Sequence, residues 1–149
     1  MIFVELANPL DPAPSALLAE AQALQDAIYP PEENFALPTE ALAAEDIRFF
    51  AAREGEELLG VGAVKLHESY GEVKSMFTAP AGRGKGIAAA LLRAIEDIAR
   101  DEGKAHLRLE TGDELEAAVR LYNRFGFTRC GPFGDYQDNG SSVFMEKAL

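Results

Sequence analysis

The segment Arg83-Gly84-Lys85-Gly86-Ile87-Ala88 constrains this chain more than any other. It follows an extended apolar run, Val73-Lys74-Ser75-Met76-Phe77-Thr78, and precedes a strongly periodic stretch that begins near Ile87. A strand that turns through glycines into a helix gathers the helix's first free N–H groups at one point, together with the positive end of its dipole. Such a point binds anions, above all phosphate. Glycine suits the turn because a Cβ would hold phosphate oxygens away from the backbone. Arg83 and Lys85 add positive charge in a chain whose net charge is −11. The fold must therefore set a strand end beside a helix start, around a phosphate-bearing ligand.

Two common phosphate patterns do not fit. A P-loop places Ser or Thr directly after its lysine, to hold Mg²⁺, but Lys85 is followed by Gly86 and Ile87. A dinucleotide fingerprint spaces its glycines as GxGxxG beside the first strand, whereas Gly82, Gly84 and Gly86 alternate and fall mid-chain. What remains is R-x-x-G-x-A. Downstream stands a second segment, Ala118-Val119-Arg120-Leu121-Tyr122-Asn123-Arg124-Phe125-Gly126-Phe127. In this order the two resemble the Q/R-x-x-G-x-G/A and A-[IV]-x-L-Y-x-x-x-G-F motifs of the GNAT superfamily of N-acetyltransferases. The resemblance runs from about residue 46 to residue 149 and is loose before that.

Hydrophobic periodicity yields a matching order of elements. Strands are expected at 2–6, 47–53, 57–67, 72–79, 106–110, 127–130 and 142–147. A helix opens after Asp11-Pro12-Ala13-Pro14 and runs to Ile28, and a short one is expected over 39–44. The helix from Ile87 carries the apolar stripe Leu91, Leu92, Ile95, Ile98 and Ala99 and ends at Gly103. Asp113 and Glu116 resemble a capping box for the next helix, which Gly126 stops. The fold class is α/β (α+β). The resemblance implies the GNAT fold: a mixed, mostly antiparallel sheet of about six or seven strands, flanked by about four helices, with strands four and five splayed.

Composition sets the outer limits. A chain of 149 residues, 48% hydrophobic and 26% charged, reads as one domain spanning 1–149. No apolar run reaches the length of a membrane span, and Met1-Ile2-Phe3-Val4-Glu5-Leu6 lacks a signal peptide's basic start. Cys130 is the only cysteine, which suits a reducing cytoplasm and leaves no internal disulfide. The acidic charge disfavours nucleic acid as a partner. No metal is expected.

The resemblance implies acetyl-CoA as the acetyl donor. Its pyrophosphate would lie on Arg83, Gly84, Lys85, Gly86, Ile87 and Ala88, and its pantetheine arm along Met76, Phe77 and Thr78. Tyr122 is the implied general acid for the departing thiolate, although it also shares a core-like helix face with Leu115, Ala118 and Val119. The general base is open between Glu72 and Glu110, the carboxylates nearest the expected acetyl position, and each also reads as a solvated strand end. His67 and His106 have no neighbouring partner in sequence and are read as uninvolved. Leu115 stands where related sequences place an amide side chain, so that cofactor contact is expected to be lost.

The acceptor is an amine, with Tyr29, Phe35, Phe133 and Tyr136 as candidate contacts. Three functions are consistent with these residues: a small-molecule N-acetyltransferase, a protein or peptide acetyltransferase, and an acyl-CoA-binding module without turnover. A homodimer is a common arrangement in the resembling family.

Overall fold

A computed structural model describes all residues, Met1–Leu149. Its seven strands are β1 (Ile2–Leu6), β2 (Ile47–Glu54), β3 (Glu57–Leu66), β4 (Tyr70–Thr78), β5 (His106–Gly112), β6 (Thr128–Cys130) and β7 (Ser142–Ala148). Three α-helices accompany them: α1 (Pro12–Ile28), α2 (Ile87–Asp101) and α3 (Glu116–Arg124). The strands form one sheet in the order β1-β2-β3-β4-β5-β7-β6. Only β4 and β5 pair in parallel, and α2 is the crossover between them. The chain thus has the mixed, mostly antiparallel sheet expected from its sequence.

Each α-helix follows from its apolar spacing. Leu91, Leu92, Ile95 and Ala99 of α2 have no measurable exposure and press on Val64, Val73, Leu107 and Leu109 of the sheet. Tyr122 of α3 joins this larger core. On the other face Leu17 and Leu18 of α1 pack with Leu42, Phe49, Val61 and Ala63. The two clusters place α2 and α3 on one face of the sheet and α1 on the other.

Two expectations need correction. The fourth helix, over 39–44, is a short 3-10 turn at Thr39–Ala43, which buries only Leu42. Asp113 does not cap α3: the cap position is Leu115, and no side chain bonds to it. The Asp113 carboxylate instead accepts a bond from the Tyr29 hydroxyl at 3.4 Å, so this acidic residue ties α1 to the loop after β5.

The β4–β5 pairing decides where a site can form. Their register runs from Tyr70↔His106 to Val73↔Leu109 and then stops. Beyond it, Ser75 takes a left-handed φ of +56°. In the ladder with β3, Lys74 faces Ala63 while Phe77 faces Val61, so Ser75 and Met76 together oppose Gly62. This bulge inverts the alternation of β4: Val73 and Met76 both turn toward the larger core, while Phe77 turns toward the smaller one. Gly62 is needed opposite it, because a Cβ there would press on the Met76 Sδ at 2.5 Å.

Truncating the α2 stripe should destabilise the whole sheet. Leu92→Ala is expected to lower the unfolding free energy by about 2–5 kcal/mol in urea denaturation, because the buried site cannot collapse around the deletion.

Candidate active site

Where β4 and β5 part, a cleft of about 100 Å³ passes through the sheet. Leu115, Ala118 and Tyr122 of the α3 segment line one end. Gln25 and Tyr29 of α1, with Glu33, Phe35 and Ala36 from the chain after it, line the other. Between them lie Val73 to Met76 of β4 and Glu110 to Gly112 of β5.

Strand alternation distributes the chemistry. Leu107 and Leu109 point into the larger core, so Glu110 points to the α1 face. Val73 likewise points into that core, which puts Glu72 and Lys74 on the α1 face as well. Tyr122 approaches from the opposite face, on α3. A carboxylate and a phenol therefore look into one cleft from two sides of a sheet.

The two carboxylates differ sharply in surroundings. Glu72 is buried, and both of its oxygens are engaged. Oε1 lies 2.9 Å from Nε2 of His67, and Oε2 accepts bonds from the Tyr136 hydroxyl at 2.7 Å and the Lys74 ammonium at 3.3 Å. Burial alone would raise its pKa, but the Lys74 charge and these hydrogen bonds outweigh that and hold it below its ordinary value. Lys74 is equally committed, since its ammonium also donates to the Phe35 carbonyl at 3.3 Å and the Tyr136 hydroxyl at 3.0 Å. Glu110 accepts one bond, from the Ser142 hydroxyl at 2.6 Å on Oε2. Burial dominates at Glu110 and raises its pKa, the Glu72 charge reinforcing the rise and Ser142 and Lys74 opposing it.

Tyr122 is about 5% exposed, and burial drives its pKa well above that of an ordinary phenol. Its hydroxyl has no hydrogen-bond partner in the protein, and no fully buried side-chain oxygen lacks one, so this hydroxyl opens onto the cleft it lines. Tyr29 closes the other side. Its hydroxyl accepts the N–H of Glu114 at 2.9 Å and fills the space that a side chain at Gly112 would need.

Of the residues expected along the pantetheine arm and the pyrophosphate, Met76 is the one that lines this cleft. Phe77 packs into the smaller core. The turn after β4 brings Gly84 and Gly86 to φ of +76° and +79°, with nothing within 4 Å of where a Cβ would stand. Gly86 caps α2 without any side-chain bond, so the turn offers open backbone donors at the helix start. This open turn fits a phosphate group. Ile87 anchors the turn in the core, and Ala88 follows in the first helical turn. Lys85 pairs with Glu54 at 2.8 Å on the surface, an exposed contact that a phosphate can displace.

Phe35 reaches the cleft and meets Tyr136 edge-on at 5.3 Å. Phe133 and Tyr136 do not line it. Phe133 is buried against Tyr70, Tyr136 and Phe144, and Tyr136 stands behind Lys74. Sequence reasoning passed over Lys74, His67 and Ser142. The alternation of Glu72 and Lys74 could have placed those two on one face. The approach of His67 needs the hairpin turn after β3, and that of Ser142 needs the β5–β7 register.

Comparison with known proteins agrees with this geometry. Residues 16–127 match the model of the acetyltransferase (GNAT) family. The chain is 42% identical over 144 residues to the IAA acetyltransferase of Azospirillum brasilense, covering 95% of this chain and 94% of that protein. It is 45% identical over 123 residues to the uncharacterized N-acetyltransferase YsnE of Bacillus subtilis, covering 80% of this chain and 82% of that one. A solved Klebsiella pneumoniae protein, provisionally described as an acyl-CoA N-acyltransferase, superposes with a TM-score of 0.85 at 34% identity over 100% of this chain and 98% of its own. The PaiA N-acetyltransferase of Thermoplasma acidophilum, solved in complex with coenzyme A, shares the fold at a TM-score of 0.74 and 20% identity, covering 100% of this chain and 99% of that one. The chain belongs to the GNAT acetyltransferase family and is an acyltransferase.

Glu72 serves the fold through its partners. Glu72→Leu would strand the Lys74 charge, whose side chain is 11% exposed, and is expected to cost about 3–5 kcal/mol in urea denaturation at pH 7. Because the folded pKa of Glu72 is lowered, its contribution is complete above the unfolded carboxylate value, about 4.3. It is lost as pH falls through the lower folded value, so acid should narrow the gap between wild type and variant.

Proposed function

We propose that this protein moves an acetyl group from acetyl-CoA to a primary amine of a small molecule by direct transfer. The observation that carries this reading is the cleft through the sheet, with the raised-pKa carboxyl of Glu110 on one side and the unpartnered hydroxyl of Tyr122 on the other. The open glycine turn at 83–88 would hold the donor's pyrophosphate. The gap beside Met76, Phe77 and Thr78 would take its pantetheine arm. When bound, acetyl-CoA supplies an acyl carbon already activated as a thioester.

The protein's residues handle the protons. The arriving ammonium first gives one proton to water. As the neutral amine attacks, the C–N bond forms and the C–S bond breaks, Glu110 takes the second proton from nitrogen, and Tyr122 gives its proton to the departing sulfur. Water then restores both groups. The raised pKa of Glu110 makes it a stronger base than a surface carboxylate, whereas Glu72, engaged by His67, Lys74 and Tyr136, has a lowered pKa and is the weaker base. A phenol is protonated at neutral pH, so Tyr122 carries a proton to give. Burial raises its pKa and makes it a weaker acid, so that proton moves late, as charge builds on sulfur. Glu33 and Glu110 attract a cationic amine to the α1 end of the cleft. The walls formed by Tyr29 and Phe35 favour a small molecule over a peptide. The same reading takes residues 1–149 as one domain that works in the cytoplasm.

A screen for thiol release from acetyl-CoA, run against amines, amino acids and peptides, tests the reading. At least one small amine should give turnover, and Glu110→Gln should lower kcat/KM by about 10²–10⁴-fold. Tyr122→Phe should lower kcat far more than the KM for acetyl-CoA. The rising limb of kcat/KM against pH should lie above the ordinary carboxylate range, following the raised Glu110 pKa. Turnover of peptides alone, or an unimpaired Glu110→Gln enzyme, contradicts the proposal.

A further inference from the structure

Glu110 is held by more than its burial. Ser142 sits diagonally across the β5–β7 ladder, where Glu110 faces Phe144 and Gly112 faces Ser142. Ser142, Phe144, Glu110 and Gly112 therefore share the α1 face of the sheet. Gly112 offers no side chain opposite Ser142, so the serine is free to lean toward Glu110. The bond of 2.6 Å from its hydroxyl to Oε2 has the length of an O–H donor on an ionised carboxylate.

A second bond fixes the direction of the first. The Asn139 amide donates from Nδ2 to the Ser142 oxygen at 3.1 Å. Its orientation is dictated at the other end, where Oδ1 accepts the backbone N–H groups of Ser141 at 2.9 Å and Ser142 at 2.8 Å, and the Ser141 hydroxyl at 3.2 Å. A flipped amide would turn its NH₂ toward the two backbone N–H groups, which cannot accept, and lose both of those bonds. With an amide hydrogen already on its oxygen, the Ser142 hydroxyl spends its own hydrogen on Glu110. The Glu110 Oε1 has no partner in the protein, and no fully buried oxygen is left without one, so Oε1 opens onto the cleft.

We propose that Asn139 and Ser142 form a two-residue positioning relay that pins one Glu110 oxygen, aims the other into the cleft, and lowers the proton affinity of the carboxyl. The relay's functional meaning rests on Glu110 acting as the base. The other groups facing Glu110 are Lys74 and Glu72 from β4, Glu33 and Tyr29 from the α1 side, Tyr122 from α3, and Tyr136 from the segment before β7. None of these touches Ser142 or Asn139 through a hydrogen bond, so the relay can be altered separately from them.

Titration of ¹³C-carboxyl-labelled glutamates by NMR reads the relay without any acceptor, with Glu110→Gln used to assign the Glu110 signal. Removing the donor destabilises the carboxylate form, so the Glu110 pKa rises. Ser142→Ala should make Glu110 bind its proton about tenfold more tightly. Asn139→Ala should move it the same way by less, and Ser142→Thr, which keeps the hydroxyl, should restore the wild-type titration. In turnover assays the rising limb of kcat/KM should shift to higher pH in step, with the KM for acetyl-CoA unchanged. An unmoved Glu110 titration in either folded alanine variant overturns the relay. That result beside an inactive Glu110→Gln enzyme leaves the base assignment standing. A shifted titration beside a fully active Glu110→Gln enzyme defeats the base assignment instead.

Discussion

The site depends on the loss of hydrogen bonding between β4 and β5 after Val73 and Leu109. Two parallel strands that begin as neighbours separate because the Ser75 bulge turns β4 away. A left-handed φ at a non-glycine residue is unfavourable and persists only where its surroundings enforce it. Here Gly62 admits the bulge, Met76 is drawn into the larger core, and Phe77 is drawn into the smaller one. The same packing that stabilises the sheet therefore opens it. The separated edges leave backbone groups that a sheet would otherwise pair, and β4 leads through the glycine turn into α2.

The opening also explains how two carboxylates on one face come to differ. Glu72 belongs to the paired part of β4, where neighbouring elements can reach it, and three side chains engage both of its oxygens. Glu110 lies one position past the last β5 residue paired with β4, where its β4 side is empty cleft. One carboxyl is held ionised by partners. The other is raised by burial and kept from rising further by a serine. Position relative to the point of divergence sets their surroundings.

Much of this was legible in the sequence. The glycine turn, the α2 stripe and the Leu121-Tyr122 and Gly126-Phe127 pairs carry local signals that survive folding, because backbone conformation and amphipathic spacing are local properties. Strand positions were readable from alternation for the same reason. Register was not. The cluster of His67, Lys74 and Tyr136 on Glu72, and the reach of Ser142 to Glu110, join residues far apart in sequence through strand pairing. The Asp113–Glu116 pattern misled because Asp113 is drawn to Tyr29, a tertiary contact that outcompetes a cap. Phe133 and Tyr136 looked like ligand contacts from their glycine- and aromatic-rich loop. In the structure Phe133 packs against Tyr70, Tyr136 and Phe144, and Tyr136 contacts Lys74, so neither lines the cleft itself.

The central claim is that acetyl-CoA lies with its pantetheine arm in the gap between β4 and β5 and its pyrophosphate on the turn at 83–88. Hydrogen–deuterium exchange of the purified protein with and without acetyl-CoA tests it most directly. The account predicts slowed amide exchange across residues 74–78, 83–89 and 110–112, with little change in β1, β2 and the far end of α2. Protection confined to other surfaces, with those three segments unaffected at saturating acetyl-CoA, would contradict it.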